Sequence, residues 1–325
     1  MAVSASPPTA ESGPSGAARD WSAPYLVDLG LVLGVFARGA LDPAVAVDAT
    51  GGHWRTVRTP DGPATLHLTT TPDPAAGRSV VHAQGWGPGC LWALDRLPSL
   101  LGDGDDPAGF PADRLPAHLA KGWSQLQGHW RMPRSQRVVE ALVAAVLEQK
   151  VTGLEARRSW AALLRDVGTP APGPTPRPMH VFPEPEAIVR VPSWQWHRWG
   201  VQPAQSATII RAMRVAGRLE QCSALPIADA RRRLGAVDGV GPWTVAEVSS
   251  RALGDADAVS VGDYHLAGHV VFAFTGSRDG DDQQMEELLE PFAGHRHRVQ
   301  RLVEVFGPHR PARGPRATIT DHRGR

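Results

Sequence analysis

The stretch Leu234-Gly-Ala-Val-Asp-Gly-Val-Gly-Pro-Trp-Thr-Val-Ala-Glu-Val248, followed by Val261-Gly-Asp-Tyr-His265, constrains this chain more than any other. It cannot run as one helix. Gly239 and Gly241 permit a tight turn whose backbone amides another molecule can approach without meeting a Cβ. Pro242 suits the first position of the next helix, and Gly254 suits its end. Two short helices joined by a glycine hairpin result, with an Asp at 263 where a third helix begins. Exposed amides at a helix start form a ready phosphate site, and Asp263 adds a carboxylate for chemistry beside it.

The flanking pattern is helical from Ser135 onward. Val139, Leu142, Val143 and Val146 share one face. Thr152 and Glu155 have capping-box spacing before a helix that turns Ala156, Trp160, Leu163 and Leu164 inward and stops at Gly168. A proline-rich loop spans 169–185, and helices are expected at 204–219, 227–235, 242–253, 264–275, 283–290 and 295–306. Residues 120–306 therefore read as an all-helical domain. Residues 21–100 read as a small α+β unit, an antiparallel sheet with helices. Asp28 caps a first helix, and alternating runs follow at 44–48, 54–59, 64–70 and 79–83, separated by turn signals. A helix from Pro88 to Leu97 closes the unit, with Leu91 and Leu94 inward. Residues 101–119 read as a linker, 1–20 as a disordered tail and 307–325 as a basic disordered tail.

Charge is uneven although the net is +1. Residues 1–119 carry 7 Lys/Arg against 12 Asp/Glu, residues 120–218 carry 14 against 6, and residues 219–325 carry 13 against 15. A basic middle section fits a phosphate-binding face, and it equally fits arginine-rich solvated helix faces. Two cysteines, Cys90 and Cys222, make neither a disulfide framework nor a metal cluster, so a cytoplasmic chain is expected. No signal peptide and no membrane span is read. The two lysines are Lys121 and Lys150.

The hairpin and the Asp beyond it resemble the helix-hairpin-helix superfamily of DNA base-excision glycosylases, in which a Gly-hydrophobic-Gly hairpin precedes an essential Asp. The branch most similar is the bacterial alkylpurine glycosylases of the 3-methyladenine type II class. In that branch a helical domain follows a small β-rich one. The resemblance covers about residues 21–306 and is strongest in 137–166 and 204–266. Two cysteines exclude the four-cysteine iron–sulfur cluster of some members.

Cutting an N-glycosidic bond builds positive charge on the sugar, and a fixed carboxylate stabilises it. Asp263 is the catalytic candidate; an Asp before a helix is also an ordinary N-cap, and both roles can coexist. Lyase-type members place a nucleophilic Lys two residues after the second hairpin glycine, where this chain has Trp243, and an indole cannot form a Schiff base. The resemblance implies a monofunctional glycosylase acting in base excision repair of alkylation damage. It further implies a base pocket from Trp243, Glu247 and Tyr264, and DNA contacts from Val237, Gly239, Val240, Gly241, Thr244, Gln149 and Lys150. A structural Na+ or K+ on the carbonyls of Gly235, Val237 and Val240 is implied by the resemblance alone; no other cofactor is expected.

Several positions keep two readings. Trp243 either walls the pocket or packs on the N-terminal unit. Glu247 departs from relatives that carry an aromatic residue there. It either meets a cationic base in a dry pocket, where its pKa would rise, or is a solvated surface residue. Lys150 stands where an apolar wedge is expected, so it or Gln149 fills the gap left by an extruded base, or Lys150 is a plain surface lysine. Trp194, Trp196 and Trp199 suit base stacking or core packing. His295 and His297 read as surface residues rather than metal ligands. The expected partner is duplex DNA containing a damaged base, bound by a monomer. A glycosylase for another damaged base and a noncatalytic helix-hairpin-helix DNA-binding protein are the rival readings.

Overall fold

The computed structural model describes residues 16–308. Strands β1 (Ala17–Ala23), β2 (Val45–Val47), β3 (His53–Thr59), β4 (Gly62–Asp73) and β5 (Arg78–Trp86) form one antiparallel sheet in the order β1-β5-β4-β3-β2. Their alternation comes from one face packing on α1 (Leu29–Leu33), α2 (Cys90–Asp95) and α3 (Leu97–Leu100) through Leu66, Leu68, Val81, Leu94 and Leu97. Asp28 caps α1 by accepting the Leu31 amide at 2.9 Å, as its position predicts.

Three features of this half differ from expectation. Strand β1 begins inside residues 1–20, because its side chains alternate against β5 and so gain a partner that composition does not reveal. Leu91 is 65 % exposed, not inward. It lies one residue into a six-residue helix whose buried face is set by Cys90, Ala93 and Leu94. The stretch 101–119 is packed rather than free: Leu115 is buried, α4 (Ala117–Leu126) starts within it, and Asp105 pairs with the fully buried Arg298 at 2.7 Å. The tails 1–15 and 309–325 lie outside the described residues.

The helical part has two cores. The first is built on α5 (Val138–Glu148), buried along almost its whole length from Val138 to Leu147. Around it pack α6 (Gly153–Val167), α7 (Pro185–Val189), α8 (Ser193–Arg198), α9 (Pro203–Arg214), α10 (Ala216–Glu220), α11 (Ile227–Gly235) and α12 (Pro242–Val248). The Thr152–Glu155 capping box forms as its spacing predicts. Between α6 and α7 the loop carries a two-stranded pair, β6 (Thr169–Pro170) with β7 (His180–Val181), so this part is not purely helical. The second core joins α4 to α13 (Leu266–Thr275), α14 (Asp282–Leu289) and α15 (Arg296–Phe306) through Trp123, Leu266, Phe292 and Leu302. Helix α12 continues as a π turn, Ser249–Leu253, ending at Gly254 with φ +70°. A cleft lies where the two helical cores meet, and the N-terminal unit reaches it.

Candidate active site

Gly239 sits at φ +89°, and a Cβ there would come within 2.1 Å of the Thr208 hydroxyl, so the turn itself requires glycine. Gly241 is different. Its backbone is extended and a Cβ would meet open space, so nothing in the chain's own packing demands its smallness. The first helical hydrogen bond of α12 runs from the Val245 amide to the Gly241 carbonyl (3.0 Å), leaving the amides of Trp243 and Thr244 ahead of it. Among the expected DNA-contact residues, Gly239 and Gly241 are exposed and Val237 is half-buried. Val240 and Thr244 turn inward. The Val240 side chain is buried and its amide donates to the Val237 carbonyl at 2.9 Å. The Thr244 hydroxyl is buried and accepts from Gln149.

Gln149 follows α5 and braces the hairpin. Its side-chain amide donates to the Gly239 carbonyl (3.0 Å) and the Thr244 hydroxyl (2.8 Å). As a plug for a vacated base it would have to break both bonds. Lys150 is exposed next to it at φ 54°, a left-handed conformation rare for a lysine. Gln205 of α9 holds the end of α5 by donating to the carbonyls of Val146 (3.1 Å), Leu147 (3.2 Å) and Gln149 (3.0 Å). Arg211, exposed on α9, donates to the Asp238 carbonyl and places a cation beside the hairpin. Sequence reasoning missed Arg211; its one signal was the arginine excess of residues 120–218.

The cleft between the helical cores has a volume of about 210 Å³, several times the share of one water molecule. Trp243, Glu247 and Asp263 all line it. The Trp243 indole N–H donates to Asp263 Oδ2 (3.1 Å), and Asp263 Oδ1 accepts the amides of His265 (2.8 Å) and Leu266 (2.9 Å). Asp263 thus lies before the N-cap of α13, His265, yet takes up the first helical amide of that helix, Leu266, while its other oxygen stays on the indole at the cleft. Tyr264 is not part of the cleft. It is 92 % exposed and stands edge-on to His265, because the two amides held by Asp263 turn residue 264 outward.

Glu247 is neither solvated nor a raised acid. It is 7 % exposed, its Oε1 accepts the Ser260 hydroxyl (2.7 Å), and its Oε2 meets Arg251 (2.5 Å). Burial disfavours its charge, but the Arg251 guanidinium and the Ser260 hydrogen bond outweigh burial and hold its carboxyl below the usual range. His297 is buried as well, against the surface reading. Its Nδ1 faces the Ala258 carbonyl at 3.0 Å, and burial, with Arg301 nearby, pushes its pKa down to about 3, so it is neutral. His295 is half-buried against Phe110. Trp196 and Trp199 are core residues, while Trp194 is 62 % exposed. Among the described residues no group of three or more His, Cys, Asp or Glu is arranged to hold a metal ion, and no helix is long and apolar enough to cross a membrane.

The cleft also contains groups that the sequence did not flag: Trp130, Glu148, His265, His269, Arg301 and Glu304. The N-terminal unit contributes to the cleft: Val35 lines it and Arg38 pairs with Glu148 at 2.8 Å.

No protein-family model matches the chain. In an alignment of 231 residues that covers 66 % of this chain, it is 29 % identical to the probable bifunctional transcriptional activator/DNA repair enzyme AlkA of Mycobacterium tuberculosis, in two strains. The match spans 43 % of that protein, so the chain covers less than half the length of the curated relatives it matches. Its structure is similar to a 3-methyladenine DNA-glycosylase from Archaeoglobus fulgidus, with a TM-score of 0.73 and 18 % identity over 88 % of this chain and 97 % of that one. It is also similar to an 8-oxoguanine glycosylase/lyase from Clostridium acetobutylicum bound to double-stranded DNA, with a TM-score of 0.63 and 10 % identity over 85 % and 90 % of the two chains. At these identities the structural likeness is one of fold.

Proposed function

We propose that this chain, which has the fold of the helix-hairpin-helix DNA glycosylases and resembles their alkylpurine branch, hydrolyses the N-glycosidic bond of an alkylated purine in duplex DNA. The observation that carries the reading is Asp263, a carboxylate held by two amides and one indole at the wall of a cleft beside an exposed glycine hairpin. A purine extruded from the duplex enters the cleft alongside Trp243. The hairpin from Val237 to Gly241, with Lys150 and Arg211 near it, holds the phosphate backbone. As the bond from the sugar to the base nitrogen breaks, its electron pair leaves with the base, and Asp263 stabilises the positive charge that grows on the sugar. Water then forms the new carbon–oxygen bond and releases a proton to solvent, leaving an abasic site.

A monofunctional reaction belongs to the same proposal. No lysine lines the cleft, and the chain's two lysines are Lys121 and the exposed Lys150, which supports a reaction without a lysine–sugar intermediate. A monovalent cation at the hairpin carbonyls of Gly235, Val237 and Val240 also remains a proposal. The Val237 carbonyl already accepts the Val240 amide, and its second lone pair is available to an ion.

The test is incubation of the protein with methylated duplex DNA and chromatography of released bases, with Asp263→Asn in parallel. Release of 3-methyladenine or 7-methylguanine, reduced by at least about 10²-fold in the variant, is expected. Binding of the duplex with no base released from a broad lesion panel would overturn the reading in favour of a noncatalytic DNA-binding protein.

A further inference from the structure

We infer that Glu148 determines the specificity of the cleft by favouring a flipped base that carries positive charge. This rests on the glycosylase reading above. Four carboxylates line the cleft, Glu148, Glu247, Asp263 and Glu304, against two guanidiniums, Arg251 and Arg301. Seven of the eight carboxylate oxygens have donors. Glu247 is held by Ser260 and Arg251, and Asp263 by Trp243 and two amides. Glu304 is held by Gln300 and Arg301, and Glu148 Oε1 by Arg38. The eighth, Glu148 Oε2, accepts no hydrogen bond among the described residues, although the side chain is only 26 % exposed.

Its place in the fold disfavours a carboxylate here. Glu148 is the last residue of α5, where the negative end of the helix dipole disfavours a carboxylate. The cleft around it holds more negative than positive side chains, and His297 is neutral. A carboxylate that breaks the local rule and has one oxygen without a donor is suited to a ligand that brings a cation or an N–H group. A purine alkylated on a ring nitrogen brings both, through its charged ring and its exocyclic amine. A neutral purine lesion brings no charge, so Glu148 discriminates between the two classes.

The experiment compares single-turnover excision from duplexes containing 7-methylguanine, a cationic base, and hypoxanthine, a neutral one. In Glu148→Gln the ratio of cationic to neutral rates is expected to fall about tenfold, the equivalent of about 1.4 kcal/mol. In Arg38→Gln, which leaves the Glu148 charge in place and removes its hydrogen-bonded counter-ion, the ratio is expected to rise. Melting temperatures are recorded for both, because Glu148 also ties α5 to the N-terminal unit. If Glu148→Gln does not fold, Arg38→Gln carries the test. If the wild type leaves hypoxanthine intact, the same comparison is read from duplex affinities in an Asp263→Asn background. A ratio within about twofold of wild type in the folded variants, with only the melting temperature moved, overturns the inference and leaves Glu148 a structural ion pair. A wild type that releases no base from any duplex instead overturns the glycosylase reading, before any variant is compared.

Discussion

Arg251→Met isolates what holds the back of the cleft. Arg251 meets Glu247 Oε2 at 2.5 Å and also donates to the Val35 carbonyl at 3.2 Å. Glu247 has 10 % of its side chain exposed and Arg251 20 %, so the pair is largely out of water. Removing one partner of such a pair leaves a buried charge uncompensated and costs about 3–5 kcal/mol, with the partial exposure of Arg251 favouring the lower end. The loss depends on pH, and its sign follows from the two states of Glu247. In the wild type its folded pKa lies below the unfolded value, so its stabilising contribution is present above the unfolded pKa and is lost as pH falls through the folded one. Without Arg251, burial, already the largest single influence, is no longer outweighed and is expected to raise the folded pKa above the unfolded value. The variant then gains stability relative to wild type as pH falls, by about 1.4 kcal/mol for each unit over which Glu247 takes up its proton. His297 acts in the same direction, because Arg251 is one of the charges that lower its pKa. Urea unfolding at pH 7.5 and pH 5 reads both states, with an unchanged m-value as the check that the comparison is sound. The expected result is a deficit of about 3 kcal/mol at pH 7.5 that shrinks clearly at pH 5, and partial recovery in Arg251→Met/Glu247→Gln. An equal deficit at both pH values, with no recovery in the double variant, would refute charge compensation as the role of the pair.

Two further outcomes concern the DNA face. Gly239→Ala forces a left-handed alanine whose Cβ would collide with Thr208, so it should cost about 1–3 kcal/mol and weaken duplex binding. Gly241→Ala should leave the melting temperature unchanged and still weaken binding; thermal melts and fluorescence anisotropy separate the two, and wild-type affinity in Gly241→Ala would remove Gly241 from the interface. Lys150→Ala should reduce the slope of log affinity against log salt by about 0.9, as expected when one phosphate contact is lost. An unchanged slope would mean that Lys150 is an ordinary surface lysine.

What could be read from the sequence was what is local along the chain. Helix faces such as Val139, Leu142, Val143 and Val146, the capping box at Thr152, and the strands from β2 to β5 follow from side-chain period and turn residues, and they stand close to where that pattern puts them. Trp243, Glu247 and Asp263 meet because a helix period and a short connection fix their positions. Strand β1 was not legible, because its partner is the facing edge of β5, whose paired residues run from Gly85 opposite Ala17 to Ser79 opposite Ala23, far along the chain. Tyr264 was misplaced for a related reason. Its spacing is right, but the direction of its side chain depends on which amides the neighbouring carboxylate captures.

The electrostatics of the cleft show most clearly why spacing is not enough. Glu247 read alone offers two outcomes, a solvated surface acid or a buried one whose pKa rises, and both follow from treating burial and solvent as its only influences. The structure adds Arg251 one helical turn away, which the sequence could have supplied, and Ser260, which lies beyond the π turn and the loop after it. Glu148 and Arg38 are 110 residues apart and come from different units. Glu148 therefore reads in sequence as an unremarked acid ending an apolar helix, and only the docking of the N-terminal unit gives it the guanidinium that it hydrogen-bonds at the cleft. Glu247 keeps its charge through a guanidinium one turn along its own helix and a hydroxyl that the following loop returns to it, whereas Glu148 owes its hydrogen-bonded guanidinium to a distant unit, so the charge that the cleft presents to a base is set by local and tertiary contacts together.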